Sequence, residues 1–450
     1  NISQNFIMKN FTIQALINSQ WLDIAELQIM QPEKGAASLS ELEYNLDYAI
    51  QHLDKRDECA CSLSLPIHLL VKHESKKWFG FLDDIVPSGA ARRYWLRYLG
   101  LNHLSHAEQD IILLEKGTIA PVGNLRIKEA LPLKNPESTL HLRQFTVTDV
   151  VNRQAEFLEY AQQMGAISGG ATGAGGEAPK LLIRLSDDSR VWIDTYQENF
   201  TQPDQHYLVK FPRGHRSELD CNILRAEYYY YHELKSLGFN TIDIKQMKLI
   251  EGIAYPSLWL PRFDVQWANQ KWSRFGLESV YSVLNKPAGS HLNHFEVIKQ
   301  MCSLLKEIDS KFDTQQFVCE WLQRDLLNII FGNSDNHGRN TSFLKVNGQV
   351  TLAPIYDFAP MKADPEQIIR STTWGSPYEE GGEYRWDQIA NQLASLCKPE
   401  TAMMMLKQLA TQLLGLKERL IARGVPEQIM TLPGMNFDFI EAKLKRWKLL

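Results

Sequence analysis

Hydrophobic and polar positions alternate along Phe11-Thr-Ile-Gln-Ala-Leu-Ile17, and this period of two predicts an early β-strand. From Trp78 to Trp95 the pattern predicts a strand end entering a helix, with Ala90, Ala91 and Trp95 through Leu99 on its buried face. Asp83 and Asp84 lie within it; they could ligate a metal, but capping of the following turn is the more ordinary role. Val147 to Met164 is a polar-apolar helical stretch and reads as a connector. Leu181-Leu-Ile-Arg-Leu185 and His206-Tyr-Leu-Val-Lys210 predict strands, and Asn222 to Leu234 predicts a helix. Ala254 to Leu260 reads as a last strand, broken at Pro261-Arg-Phe-Asp264, where a connector between lobes is expected. Phe295, Ile298, Met301, Leu304, Leu305 and Ile308 recur at helical spacing, and Phe317 to Phe331 is apolar on most of its circumference, as a buried helix is. Asn347-Gly348 between two alternating apolar runs predicts a hairpin across Thr341–Ala353. Ala363 to Glu383 reads as a long polar loop, and the pattern returns to helix over Trp386–Arg423 and Asp438–Leu450.

At 450 residues the chain is too long for one small core, and two or three lobes are expected. With 44% hydrophobic and 22% charged residues there is enough apolar material for real cores, which excludes global disorder. A net charge of −5 gives no whole-chain signature of nucleic-acid binding. The one basic run, Lys443, Lys445, Arg446 and Lys448, could contact DNA but reads more simply as a solvated helix face. No apolar run approaches the roughly 18–20 residues of a membrane span. Met8 reads as a natural start, no leader pattern is present, and the cytoplasm is the expected compartment. The six cysteines, Cys59, Cys61, Cys221, Cys302, Cys319 and Cys397, are scattered without a zinc-like second pair, so all are expected to be reduced packing residues.

The chemistry concentrates in Asn333-Ser-Asp335-Asn-His-Gly-Arg-Asn340 and Ile355-Tyr-Asp357-Phe358. An Asp-x-x-x-x-Asn spacing with a second aspartate one hairpin later suits phosphoryl transfer: one carboxylate orients the attacking hydroxyl, and an amide oxygen and another carboxylate hold Mg²⁺. Alone, such a spacing could equally be an Asx turn capped by Ser334. Upstream lie a Gly-rich run, Ser168–Lys180, which by itself reads as a linker; a strand lysine, Lys210; and a helix glutamate, Glu227, for which Glu233 competes. Gly-rich loop, lysine, glutamate, connector, Asp-x-x-x-x-Asn loop, hairpin and aspartate follow the order of a protein-kinase-like core. The expected fold is therefore α+β: a kinase-like bilobal fold with an extra N-terminal α/β subdomain (8–150), a small lobe (151–264) and an all-helical C-terminal lobe (265–450).

Gly175-Gly-Glu-Ala-Pro-Lys180, Arg262-Phe-Asp264, Asn333–Asn340 and Leu352-Ala-Pro-Ile-Tyr-Asp357 together resemble the HipA family of bacterial serine/threonine kinases, the toxins of type II toxin–antitoxin modules. Trp78 to Arg93 is similar to that family's N-terminal subdomain. The resemblance implies Asp335 as catalytic base and Asn340 and Asp357 as Mg²⁺ ligands. It puts Lys210 on the ATP phosphates with Glu227 as its partner, and Gly175, Gly176 and Lys180 in the phosphate loop. Leu260, Pro261, Arg262 and Phe263 would face adenine, and His337, Gly338, Arg339 and Tyr356 would line the nucleotide site. It further implies transfer of the ATP γ-phosphoryl to a protein such as an aminoacyl-tRNA synthetase, a small DNA-binding antitoxin as partner, and DNA contact only through that complex. Two features depart from the family. Gly173 stands about where a self-phosphorylated loop serine is expected, leaving Ser168 and Thr172 as the nearby hydroxyls, and Asp357-Phe358 is followed by Ala359 rather than glycine. Other readings are a small-molecule phosphotransferase of the same superfamily and an antitoxin-binding corepressor.

Overall fold

A computed structural model describes residues 7–137, 143–164 and 180–450. Packing divides the chain into two compact units. One takes the residues up to Gly214 with Lys245–Ala288 and Ser342–Ala353; the other takes His215–Ile244, Gly289–Thr341 and Pro354–Leu450.

The first unit is built on two antiparallel sheets. Five strands run in the order His73–Ser75, Ser40–Tyr44, Gln20–Ile29, Lys9–Ile17, Leu125–Ile127. The alternation at Phe11–Ile17 lies inside the Lys9–Ile17 strand, with Phe11, Ile13 and Ala15 fully buried. Its pairing with Gln20–Ile29 shifts register between Ile13 and Gln14, a bulge that leaves Gln14 opposite Asp23, to which its amide donates at 2.7 Å. The second sheet has six strands, ordered Lys248–Glu251, Pro256–Pro261, Gln205–Lys210, Leu181–Leu185, Arg190–Trp192, Phe145–Thr146. Leu181, Ile183, Tyr207, Val209 and Trp259 join one hydrophobic core with Phe157, Tyr160 and the apolar face of the first sheet.

Several local expectations change here. Trp78 to Trp95 holds no strand: a 3-10 turn, Gly80–Asp84, leads to the helix Gly89–Tyr98. Asp84 ends that turn. It is buried, and its carboxylate accepts from the Ser279 backbone N–H at 2.8 Å and the Ser279 hydroxyl at 2.6 Å, which no local pattern reveals. Asp83 accepts from the Trp78 indole at 3.0 Å. The Val147–Met164 connector is two helices, Val147–Val151 and Ala155–Gln163, because the chain turns through a left-handed Arg153. After Pro261 the chain makes three more strands, Val265–Ala268, Lys271–Arg274 and Gly276–Ser279. The last of these pairs with the predicted hairpin, Ser342–Val346 and Gln349–Leu352. Asn347 (φ 50°) and Gly348 (φ 79°) make its turn, and both need the left-handed region where Asn and Gly are least penalised.

The second unit is mostly helical. Its described helices include Glu218–Ser236, His294–Ile308, Thr314–Phe331, Pro399–Leu413 and Ile440–Arg446. The first carries a capping box in which Ser217 and Asp220 satisfy each other's backbone N–H groups, so it starts earlier than its apolar periodicity. The unit is not all helical. Leu292–Asn293 pairs in parallel with Thr372–Thr373, and Glu379–Glu380 pairs with Glu383–Tyr384. Both pairs draw on the predicted long loop, which is held by side chains rather than by its own apolar pattern.

Candidate active site

The helix Thr314–Phe331 ends at Gly332, whose φ of 72° reverses the chain into the Asp335 loop. A side chain there would meet both the left-handed backbone and the thioether of Met435. The loop is then pinned at successive residues. Asn333 donates to Asn328 Oδ1 at 2.9 Å, and the Ser334 hydroxyl to the Ile368 carbonyl at 2.6 Å, so Ser334 does not cap an Asx turn. Asn336 donates to the Thr372 carbonyl at 2.7 Å and accepts from the Ser371 N–H at 3.0 Å, copying with one side chain the bonding of a neighbouring strand.

Asp335 is 8% exposed. His337 Nε2 lies 3.5 Å from its carboxylate, while His337 Nδ1 accepts from the Arg339 N–H at 3.2 Å, so the ring proton on Nε2 faces Asp335. Asn340 donates its Nδ2 to the Asp335 carbonyl at 2.7 Å. That bond fixes the amide and leaves Oδ1 buried with no hydrogen-bond partner among the described residues. A buried acceptor left unsatisfied costs about 1–3 kcal/mol, and a hard, oxygen-seeking cation would supply what it lacks.

Tyr356 and Asp357 come to the same place. The Tyr356 hydroxyl donates to the Arg339 carbonyl at 2.5 Å. Ile355 bridges Thr241 in parallel, with its carbonyl accepting from the Thr241 hydroxyl at 3.0 Å. Asp357 itself is left-handed, with φ 51°, a conformation a non-glycine residue keeps only where its neighbours enforce it. Phe358 packs against Phe331 and Tyr230, and the Tyr230 hydroxyl donates to the Phe331 carbonyl at 2.9 Å.

The two candidate glutamates are both buried and have different partners. Glu233 is fully buried and bound by Arg419 and Arg423, each at 2.7 Å. Glu227 is 3% exposed and accepts from the Tyr231 hydroxyl at 2.6 Å; burial, Glu227 and Asp357 together hold that phenol far above its ordinary pKa.

The remaining sequence candidates belong to the first unit. Lys210 closes its strand, 5% exposed and in register with Leu258. Lys180 directly precedes the adjacent strand, whose Leu181 pairs with Val209. Leu260 and Pro261 are buried in the Pro256–Pro261 strand, and Arg262 continues it by donating its N–H to the His206 carbonyl at 3.0 Å. The Arg262 guanidinium grips Asp264 at 2.9 and 2.7 Å. Burial opposes ionisation of Asp264, but Arg262, Arg274 and the Gly123 N–H hold its pKa at about 2. Phe263 lies between these two paired residues. Gly175, Gly176 and the Ser168, Thr172 and Gly173 positions lie outside the described residues.

Sequence reasoning passed over Asn336, Tyr231, and the buried Asp325, His294 and Trp374 gathered with the half-buried Arg370. Tyr231 carried a signal, since it follows Glu227 by one helical turn; Arg370, deep in a polar segment, carried none. The basic C-terminal run is largely neutralised: Lys445 pairs with Glu441, Arg446 with Glu383 and Lys448 with Asp387. All six cysteines are buried thiols outside any disulfide. Asp57, Glu58 and Cys59 cluster, but the Asp57 carboxylate accepts from the Cys59 N–H and Glu58 accepts from the Gly348 N–H, and burial pushes the Cys59 thiol up to about 12. Among the described residues no helix is long and apolar enough to cross a membrane.

These features define a mixed α/β protein whose largely helical unit carries a pinned Asp–His–Asn loop beside a second, left-handed aspartate. The family model of the HipA-like C-terminal domain matches residues 172–415, more than half of the 450-residue chain, and the chain belongs to that family. Its fold is similar to that of HipA from Shewanella oneidensis MR-1, solved in a complex of the toxin–antitoxin system HipA, HipB and operator DNA: TM-score 0.63, 16% identity, 97% of each chain covered. The Helicobacter pylori proinflammatory kinase CtkA is a more distant match, with a TM-score of 0.33 and 14% identity over 62% of this chain and 89% of that one. No curated protein matches the sequence.

Proposed function

We propose that this chain is an ATP- and Mg²⁺-dependent serine/threonine protein kinase of the HipA type, with a kinase-like bilobal layout, acting as the toxin of a toxin–antitoxin pair. The observation that carries the reading is the Asn340 amide. Asp335 holds its nitrogen, its oxygen is buried without a hydrogen-bond partner among the described residues, and the Tyr356–Arg339 bond ties the Asp357 segment to the same loop. Asn340 Oδ1 and the Asp357 carboxylate would hold Mg²⁺, which neutralises phosphate charge when bound. Asp335 would orient the substrate hydroxyl and accept its proton, with His337 steadying the carboxylate. Lys210 and the glycine-rich segment that includes Gly175, Gly176 and Lys180 would bind the phosphates, and the Leu260–Phe263 backbone would meet adenine.

The partners are part of the proposal: a protein substrate of the translation machinery such as an aminoacyl-tRNA synthetase, and a small DNA-binding antitoxin like the HipB found with the Shewanella protein. The test is γ-labelled ATP incubated with the chain and aminoacyl-tRNA synthetases, total protein or small alcohols. Label on a protein serine or threonine supports the reading. Label only on small alcohols favours a small-molecule phosphotransferase, and no transfer together with antitoxin binding favours a corepressor. Asp335→Gln and Asp357→Gln should each abolish transfer; wild-type activity in either overturns the site.

A further inference from the structure

Two consecutive tyrosines on the helix Glu218–Ser236 reach the two ends of the candidate site. Tyr230 bonds the Phe331 carbonyl, at the base of the Asp335 loop. Tyr231 is fully buried, and its hydroxyl stands between two groups: it donates to Glu227 Oε1 at 2.6 Å and lies 3.4 Å from the Phe358 N–H, which points at it as donor. Phe358 directly follows Asp357, whose left-handed backbone needs support from outside the turn. A phenol is suited to the position. Its oxygen gives one proton and accepts another, so the same atom can serve a carboxylate and an amide N–H.

We infer that Tyr231 is a positioning residue: it couples the Glu227 carboxylate to the backbone that carries Asp357, and so sets the geometry with which Asp357 meets a divalent cation. The inference rests on the kinase reading, and it assigns the coupling to the Tyr231 hydroxyl. Removing the oxygen leaves a buried carboxylate and a buried N–H each short of one partner, while the ring still fills its space.

The experiment titrates MgCl₂ into wild-type protein and Tyr231→Phe with a fluorescent N-methylanthraniloyl-ATP and reads binding, not turnover. Circular dichroism checks that the variant is folded. The expected result is a rise of about tenfold in the Mg²⁺ concentration at half-saturation, with the plateau recovered at high Mg²⁺. Replacing Tyr231 by 4-aminophenylalanine, which restores the donor to Glu227 but offers the Phe358 N–H only a weak acceptor, should bring the midpoint back only in part, since the coupling needs both bonds. A merely structural tyrosine would lower the melting temperature and leave the Mg²⁺ midpoint alone. A midpoint in Tyr231→Phe within twofold of wild type overturns this inference and leaves the kinase reading standing. No Mg²⁺-dependent nucleotide binding by wild type overturns both.

Discussion

Replacing Arg370 by methionine tests how the segment that follows Asp357 is held. Arg370 donates to both oxygens of Asp325 at 2.9 Å and to Glu379 at 2.7 Å. The Asp325 carboxylate, 2% exposed, also accepts from the Trp374 indole at 2.8 Å. Burial opposes its charge, and Arg370 with His294 overrides that to keep its pKa below the usual range. Arg370→Met keeps much of the side-chain volume but leaves the carboxylate with one neutral donor and the edge of His294. Breaking a buried pair from one side costs about 3–5 kcal/mol. For a unit of this size about 2–4 °C accompanies each kcal/mol, so the melting transition should fall by about 6–20 °C. Calorimetry at neutral pH measures it. Adding Asp325→Asn removes the stranded charge and should recover at least half of the loss. The penalty of the single variant should also shrink as pH falls, because the stranded carboxylate can then protonate. A drop of less than about 2 °C, or losses that simply add in the double variant, would refute the reasoning. Ser371 and Thr372 lie next to Arg370 and are the residues Asn336 grips, so the single variant should also expose the Asp335 loop to amide exchange.

His294 accepts from the Trp321 indole through Nδ1 at 2.9 Å, and burial lowers its pKa to about 4. The folded imidazole stays neutral where the unfolded one, near 6.5, takes a proton, so the unfolded chain binds more protons between those values. Stability should therefore fall as pH drops from about 6.5 toward 4, and His294→Asn should flatten that slope in a pH series of melting curves. An unchanged slope would remove His294 as the cause. Gly332→Ala, forced into φ 72° and against Met435, should cost about 1–2 kcal/mol in denaturant unfolding, whereas a stabilising effect would mean the helix end can relax.

The sequence alone determined the elements whose cause is local. Alternation marked Phe11–Ile17, Asn347-Gly348 marked the hairpin turn, and apolar circumference marked the helix that ends at Phe331, because each depends on neighbours within a turn or two of chain. Motif order brought Asp335, Asn340 and Asp357 forward, since a chemical spacing survives in one dimension. Tertiary structure alone decided what distant partners impose. It buried Glu233 against Arg419 and Arg423, it tied Asp84 to Ser279, far along the chain, and it folded a polar loop through Arg370. Burial is what gives such charges their roles, and no single segment carries the information about what will cover it. The Asn340 oxygen stands at the meeting of the two: its place is written in the motif, but its lack of a partner exists only once the loop is folded.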